Sequence, residues 1–197
     1  MQFIILILGV TGAYLIGSIS SAILICKVMR LPDPRTEGSG NPGATNVLRL
    51  GGKLAAAMVL LCDIAKGWLP VLAVKLFTNN PWIISAVLLA AVLGHIYPIF
   101  FQFKGGKGVA TAVGGLLGLS LTLGSIFIFT WLGVFALTRY SSLSALIAIS
   151  AVPFFAWGFL DQRYVVVLAI LALMTIWRHR SNIQRLMSGK EGKFTSK

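Results

Sequence analysis

Charge is the first thing in short supply. Of 197 residues only 11% are Asp, Glu, Lys or Arg, where a soluble domain carries roughly a quarter. Acid is rarer still, with five Asp and Glu against 17 Lys and Arg, for a net charge of +12. A Mg²⁺-dependent phosphotransferase needs clustered acidic ligands. Here only Asp33 and Glu37 stand close together, so neither a metal nor another cofactor is expected. Two cysteines, Cys26 and Cys62, are too few for a disulfide framework and lack metal-site spacing. They read as small buried hydrophobes. The positive charge sits in loops and tail, with no basic soluble domain around it, which argues against a nucleic-acid partner.

What the chain has is apolar length. Hydrophobic residues make up 57%, with a mean hydropathy of +0.88. That composition describes an all-α integral membrane protein, a single polytopic domain over residues 1–197 with the lipid bilayer as its surroundings. Phe3 to Cys26 is 24 residues without charge, and Lys27, Arg30 and Arg35 follow it. No base precedes the run, so it reads as a span rather than a signal peptide, with the N-terminus outside. Leu54 to Phe77 and Trp82 to Phe101 make the next two spans.

Between Lys107 and Arg139 lie 31 uncharged residues. As one helix these would run about 46 Å, against a hydrocarbon core of about 30 Å. Two short spans meeting near Ser120 to Ser125 are expected instead. Ser142 to Leu160 and Tyr164 to Trp177 complete the set. The basic tail (Arg178, Arg180, Arg185, Lys190, Lys193 and Lys197) then returns to the cytoplasm. The expectation is a seven-transmembrane-helix bundle, N-terminus out and C-terminus cytoplasmic.

Three polar strings stand out, and this topology puts all of them on the cytoplasmic side. The longest begins GHIYPIFFQFKGGKGVAT at Gly94. Its Gly105, Gly106 and Gly108 let backbone N–H groups face an anion, and Lys104 and Lys107 add charge. It is not the P-loop NTPase pattern, because Val109 follows Lys107-Gly108. In GSGNPGATN (Gly38 to Asn46), Asn41 is expected to cap a short helix opened by Pro42 and closed by Gly51-Gly52. Ser39, Gly40 and Asn41 would sit at its N-terminus, with Thr45 and Arg49 on one face. In RHRSNIQRL, His179 and Asn182 are three apart on a helix. Ser141, Ser142 and Ser144 lie at the same membrane side.

Other polar residues fall inside spans. Asp63 and Lys66 are three apart and can pair, for structure or for function. His95 has the same two readings, with Pro98 loosening the helix three residues on. Gly108, Gly114, Gly115, Gly118 and Gly124 permit close helix contacts or leave a groove for an acyl chain. A transporter for an organic phosphate would use similar cations, but it should show paired broken helices in two repeated halves. No such repeat is present.

Together GSGNPGATN, GHIYPIFFQFKGGKGVAT, RHRSNIQRL and the downstream Glu191 resemble the bacterial acyl-phosphate:glycerol-3-phosphate acyltransferases (PlsY), in order and over essentially the whole chain. The resemblance implies a seven-helix enzyme, multi-pass in the cytoplasmic (inner) membrane of a bacterium. It implies transfer of a fatty acyl group from acyl phosphate to the 1-hydroxyl of glycerol 3-phosphate, giving lysophosphatidate and phosphate. Neither acyl-CoA nor acyl carrier protein would be the direct donor.

Residue by residue, the resemblance assigns catalytic roles to Ser39, Arg49, Lys107, His179 and Asn182. Substrate and phosphate binding fall to Gly40, Asn41, Thr45, Asn46, Lys104, Gly105, Gly106, Gly108 and Ser142, and a structural role to Glu191. Ser181 departs from the pattern, standing where some relatives carry an acidic residue. An acyl phosphate is already activated, so the enzyme need chiefly align the acceptor and neutralise phosphate charge. The expected route is metal-free direct transfer by a monomer. His179 and Asn182 then orient the acceptor, and a substrate phosphate oxygen can take the proton.

Overall fold

The computed structural model describes residues 1–194, so Lys197 of the basic tail lies outside the described residues. Among these residues the regular structure is all helical: α1 (Gln2–Gly17), α2 (Ser21–Val28), α3 (Ala44–Lys75), α4 (Pro81–Ile96), α5 (Val109–Leu119), α6 (Leu121–Thr138), α7 (Ser141–Phe159), α8 (Gln162–Arg178) and α9 (Arg180–Met187). They fall into two compact units, Met1–Leu119 and the part from Ser120 onward. This is an integral membrane fold. By length and composition the α1–α2 stretch, α3, α4 with the residues after it to Phe101, α6 and α7 can each cross a bilayer, and α8 with α9 makes up to six.

The expected seventh crossing is α5, whose 11 residues reach about 16 Å, roughly half the hydrocarbon core. The division itself lies where the sequence put it. Ser120 is extended and its hydroxyl accepts from the Leu123 N–H at 3.3 Å, capping α6.

Three expectations are corrected in detail. The first apolar run is not one helix but breaks at Ser18 to Ser20. The break exposes the Ile19 carbonyl, which accepts from Lys66 Nζ at 2.9 Å. In an apolar setting an irregular backbone persists where such a partner takes up the carbonyl. The second correction concerns α4, which stops at Ile96 rather than running to Phe101. Pro98 cannot continue the helix, and a 3₁₀ turn, Ile99–Phe101, follows. Third, the helix after GSGNPG opens at Ala44 with an extended Gly43 as its cap, so neither Asn41 nor Pro42 belongs to it. Its predicted end at Gly51-Gly52 appears as a kink, because Gly52 (φ 76°, ψ −171°) is non-helical.

In the first unit α3 packs on α5, and α1 on α4. The α3–α5 approach requires glycine. A Cβ on Gly67 would overlap the Thr111 carbonyl, and one on Gly114 would overlap that of Ile64 and lie 3.0 Å from the Trp68 nitrogen. Of the two readings of the small-residue stripe, close helix contact is what Gly114 provides. Lys75 Nζ then closes α5 by donating to the Gly118 and Leu119 carbonyls, each at 3.0 Å.

In the second unit α7 packs against α6 and α8, with Ala148, Val152, Leu168 and Leu171 buried. The tail returns to this unit. The Phe194 N–H donates to the Arg139 carbonyl at 2.8 Å, and the Phe194 ring meets Phe135 edge-on at 5.6 Å.

Candidate functional site

In the first unit the polar loop before α3 is shaped by one buried amide. Asn46, 1% exposed, accepts from the Ser39 N–H at 2.9 Å through Oδ1. Through Nδ2 it donates to the Pro34 and Glu37 carbonyls at 2.9 and 3.0 Å. The sequence reading grouped Asn46 with the substrate-binding residues. Its geometry makes it the scaffold beneath the loop, holding the shape that Ser39 presents. Gly38 (φ 62°) and Gly40 (φ 68°) flank Ser39 in left-handed conformations that cost other residues about 1–2 kcal/mol.

Upstream, Arg35 grips Asp33 through Nη2 at 2.7 Å, and its hydrogen bonds hold the Asp33 carboxyl below its ordinary value. Ser39, Thr45 and Arg49 are exposed, the last two one turn apart on α3 as expected.

The glycine-lysine loop starts from the end of α4, where carbonyls no longer have helical partners. The Phe103 N–H bonds the Pro98 carbonyl at 3.0 Å, and the Lys104 N–H bonds that of Phe101 at 3.1 Å. The Gly106 N–H reaches back to the His95 carbonyl at 3.2 Å. Gly108 (φ 86°) then turns the chain into the first turn of α5. A Cβ on Gly106 would overlap His95 Nε2 and lie 3.0 Å from the Pro42 carbonyl oxygen. The two motifs therefore touch at Pro42 and Gly106. Lys104 stands exposed on this loop and Lys107 is half-buried. The Gly106 N–H, expected to face an anion, is thus taken by the His95 carbonyl, and two lysines beside the N-terminus of α5 are what suits an oxyanion here.

The second unit carries its own cluster, built on Glu191. Its Oε1 accepts from Ser142 Oγ at 2.5 Å and from Asn182 Nδ2 at 2.7 Å, and its Oε2 accepts from Arg185 Nε at 2.8 Å. The carboxylate thus ties the start of α7, helix α9 and the tail together. Ser142, predicted to bind substrate, donates a hydrogen bond from its hydroxyl to this clamp.

His179, 2% exposed, sits at the 60° bend between α8 and α9, with Nδ1 2.8 Å from the Thr175 carbonyl oxygen. A carbonyl only accepts, so Nδ1 carries a proton.

Burial pushes the Glu191 carboxyl up, but hydrogen bonds from Ser142, Asn182 and Arg185 outweigh it and leave a value below the ordinary 4.5. A carboxylate with a lowered folded pKa stabilises the protein fully above its unfolded pKa, and that stability is lost as pH falls through the folded value. Thermal midpoints in detergent should therefore drop for the wild type as pH falls below the ordinary carboxylate range. Glu191→Gln should start lower at pH 7, by about 1.5–3 kcal/mol for hydrogen bonds to a charged group, and lose less on acidification. Parallel curves for the two proteins would remove the clamp from the account.

The glycerol-3-phosphate acyltransferase family model matches residues 7–189. The chain belongs to that family. The glycerol-3-phosphate acyltransferase of Methylobacillus flagellatus is 54% identical over 95% of this chain and 96% of its own length. That of Vibrio campbellii is 53% identical over 94% and 91%. Two crystal structures of PlsY, an integral membrane glycerol 3-phosphate acyltransferase, have the same fold. The glycerol 3-phosphate form superposes with a TM-score of 0.92 at 40% identity, covering 96% of each chain. The lysophosphatidic acid form gives 0.90 at 39% identity, covering 96% of this chain and 95% of the other.

Within this family member, one group of predicted residues is Ser39, Gly40, Asn41, Thr45, Asn46 and Arg49 with Lys104 to Gly108, all in the first unit. Ser142, His179 and Asn182 form the other, in the second. Sequence reasoning missed the contact between Asp63 and His95, whose Oδ1 and Nδ1 lie 3.6 Å apart. The available signal was that both are ionisable side chains inside apolar helices. Among the described residues, no three His, Cys, Asp or Glu side chains group as cation ligands.

Proposed function

We propose that this chain is a glycerol-3-phosphate acyltransferase that takes its acyl group from acyl phosphate. One observation carries the reading: the glycine-lysine loop and the Ser39 loop meet at Gly106 and Pro42, bringing together the two motifs that carry Ser39, Arg49, Lys104 and Lys107. The 1-hydroxyl oxygen of glycerol 3-phosphate attacks the acyl carbonyl carbon. The bond from that carbon to the phosphate oxygen breaks, and the departing phosphate takes the hydroxyl proton. Products are lysophosphatidate and inorganic phosphate, formed without a metal because the leaving group is already good.

The loop at Lys104 to Gly108, with Arg49, binds phosphate charge as it moves from substrate to leaving group. Ser39 donates to an oxygen of the reacting group, and His179 with Asn182 orients the acceptor. On this reading the chain works as a monomeric, single-domain enzyme in a bacterial inner membrane. It crosses seven times, with α5 as a short crossing, its N-terminus outside and its tail in the cytoplasm. Purified protein in detergent should make lysophosphatidate from acyl phosphate and glycerol 3-phosphate in the presence of a chelator, and ignore acyl-CoA. Turnover with acyl-CoA would remove the acyl-phosphate donor, and activity lost on chelation and regained with Mg²⁺ would remove the metal-free route.

A further inference from the structure

The proposed reaction leaves three buried ionisable side chains unused. Asp63, Lys66 and His95 are 2%, 6% and 7% exposed, within α3 and α4. Lys66 Nζ lies 2.8 Å from Asp63 Oδ1 and donates to the Ile19 carbonyl. The same Oδ1 lies 3.6 Å from His95 Nδ1. Across the ring, Nε2 fills the space a Gly106 Cβ would need, and the His95 carbonyl accepts the Gly106 N–H. Gly105 is equally close, since a Cβ there would overlap the His95 carbonyl and lie 2.6 Å from Pro98 Cδ.

A glycine-rich loop has the conformational freedom to approach phosphate, and for the same reason cannot hold its own shape. A cradle works only if its N–H groups stay within about 0.5 Å of the productive position, so the rigidity must come from outside the loop. His95 touches the loop with both backbone and ring, and the Asp63–Lys66 pair faces the far edge of that ring, with Asp63 Oδ1 3.6 Å from Nδ1. Charge alone does not require this arrangement, because Lys66 already neutralises Asp63. What the imidazole adds is a flat wall under Gly106 at a set height.

We propose that His95 is a positioning residue of the phosphate loop, with Asp63 and Lys66 fixing its ring in place. This rests on the reading of Lys104 to Gly108 as a phosphate cradle. It predicts that loss of the ring weakens phosphate binding and spares the chemical step.

The test uses the purified full chain, steady-state kinetics and inhibition by inorganic phosphate as a probe of the cradle. His95→Ala should raise KM for glycerol 3-phosphate or acyl phosphate, and the Ki of inorganic phosphate, by about tenfold, with kcat nearly unchanged. His95→Gln, whose amide reaches the Nε2 position, should recover most of this, while His95→Asn, which reaches only Nδ1, should not. Gly106→Ala should raise KM in the wild-type background and add little to His95→Ala, since the overlapping ring is then gone.

A lower melting temperature with unchanged KM and Ki, equal effects of Gln and Asn, or full additivity with Gly106→Ala would each overturn the proposal. Lys107→Ala separates the two levels. If it too leaves KM and Ki unchanged, the cradle reading falls with the proposal. If it raises them while His95→Ala does not, the proposal falls alone.

Discussion

Ser39→Ala should reduce turnover by a factor on the order of a hundred or more, the scale of one lost transition-state hydrogen-bond donor, about 3 kcal/mol. The fold should survive, because the bond that places this residue runs from its backbone N–H to Asn46, and alanine keeps it. The loss then reports on the hydroxyl alone. Two roles for it make opposite predictions. A nucleophilic serine would form an acyl-enzyme, release phosphate before the acceptor binds and show ping-pong kinetics.

A donor to the reacting group requires both substrates bound together and gives intersecting double-reciprocal plots. Direct transfer is expected, because acyl phosphate needs no further activation. Moreover, His95, the sole histidine of the first unit, faces Asp63 and Gly106. Ser39→Thr should retain some turnover where its hydroxyl reaches the same place. Radiolabelled acyl group remaining on denatured wild-type protein, and absent from Ser39→Ala, would establish the covalent route instead.

The largest effect on stability is expected at Asp63. Removing one partner of a buried ion pair strands the other, at about 3–5 kcal/mol, and Asp63→Ala strands Lys66 at 6% exposure. Lys66→Met combined with Asp63→Asn leaves no uncompensated charge, so it should recover most of the thermal midpoint in detergent. The recovered protein should still bind phosphate poorly, since the carboxylate facing His95 is gone. Stability and KM are thereby separated within one pair of variants. A double variant no more stable than Asp63→Ala would show that the pair is not what stabilises this part of the fold.

Much of the fold was legible because the bilayer imposes simple rules of length. The uncharged run from Gly108 to Thr138 was too long for one helix, and Ser120, a good capping residue, marked the division that α5 and α6 obey. Gly52 likewise announced a break in α3, since a pair of glycines ends a helical pattern cheaply. Whether α5 crosses was not legible, because apolar composition at 11 residues describes a short span and a buried helix equally well.

Side-chain roles were legible as chemistry but not as placement. Asn46 belongs to a glycine-rich polar string, and nothing local says that its amide points inward to three backbone groups. Ser142 reads as a hydroxyl beside a basic loop until a carboxylate 49 residues later accepts its hydrogen bond. Asp63 and Lys66 are paired by helical spacing alone. His95 joins them only through the packing of α4 on α3.

That helical spacing also matters while the protein is being made. Because Asp63 and Lys66 lie on one turn, α3 can neutralise both charges by itself as it leaves the ribosome, before any neighbour is inserted. Each charge alone would oppose entry at the bilayer centre by about 2.5–3.5 kcal/mol on translocon scales. His95 emerges some thirty residues later and meets a carboxylate already held. The Glu191 clamp works in the other direction, for Ser142 and Asn182 wait on a residue translated after both. The first unit can thus mature while synthesis continues, whereas the second is completed only when its last segment arrives.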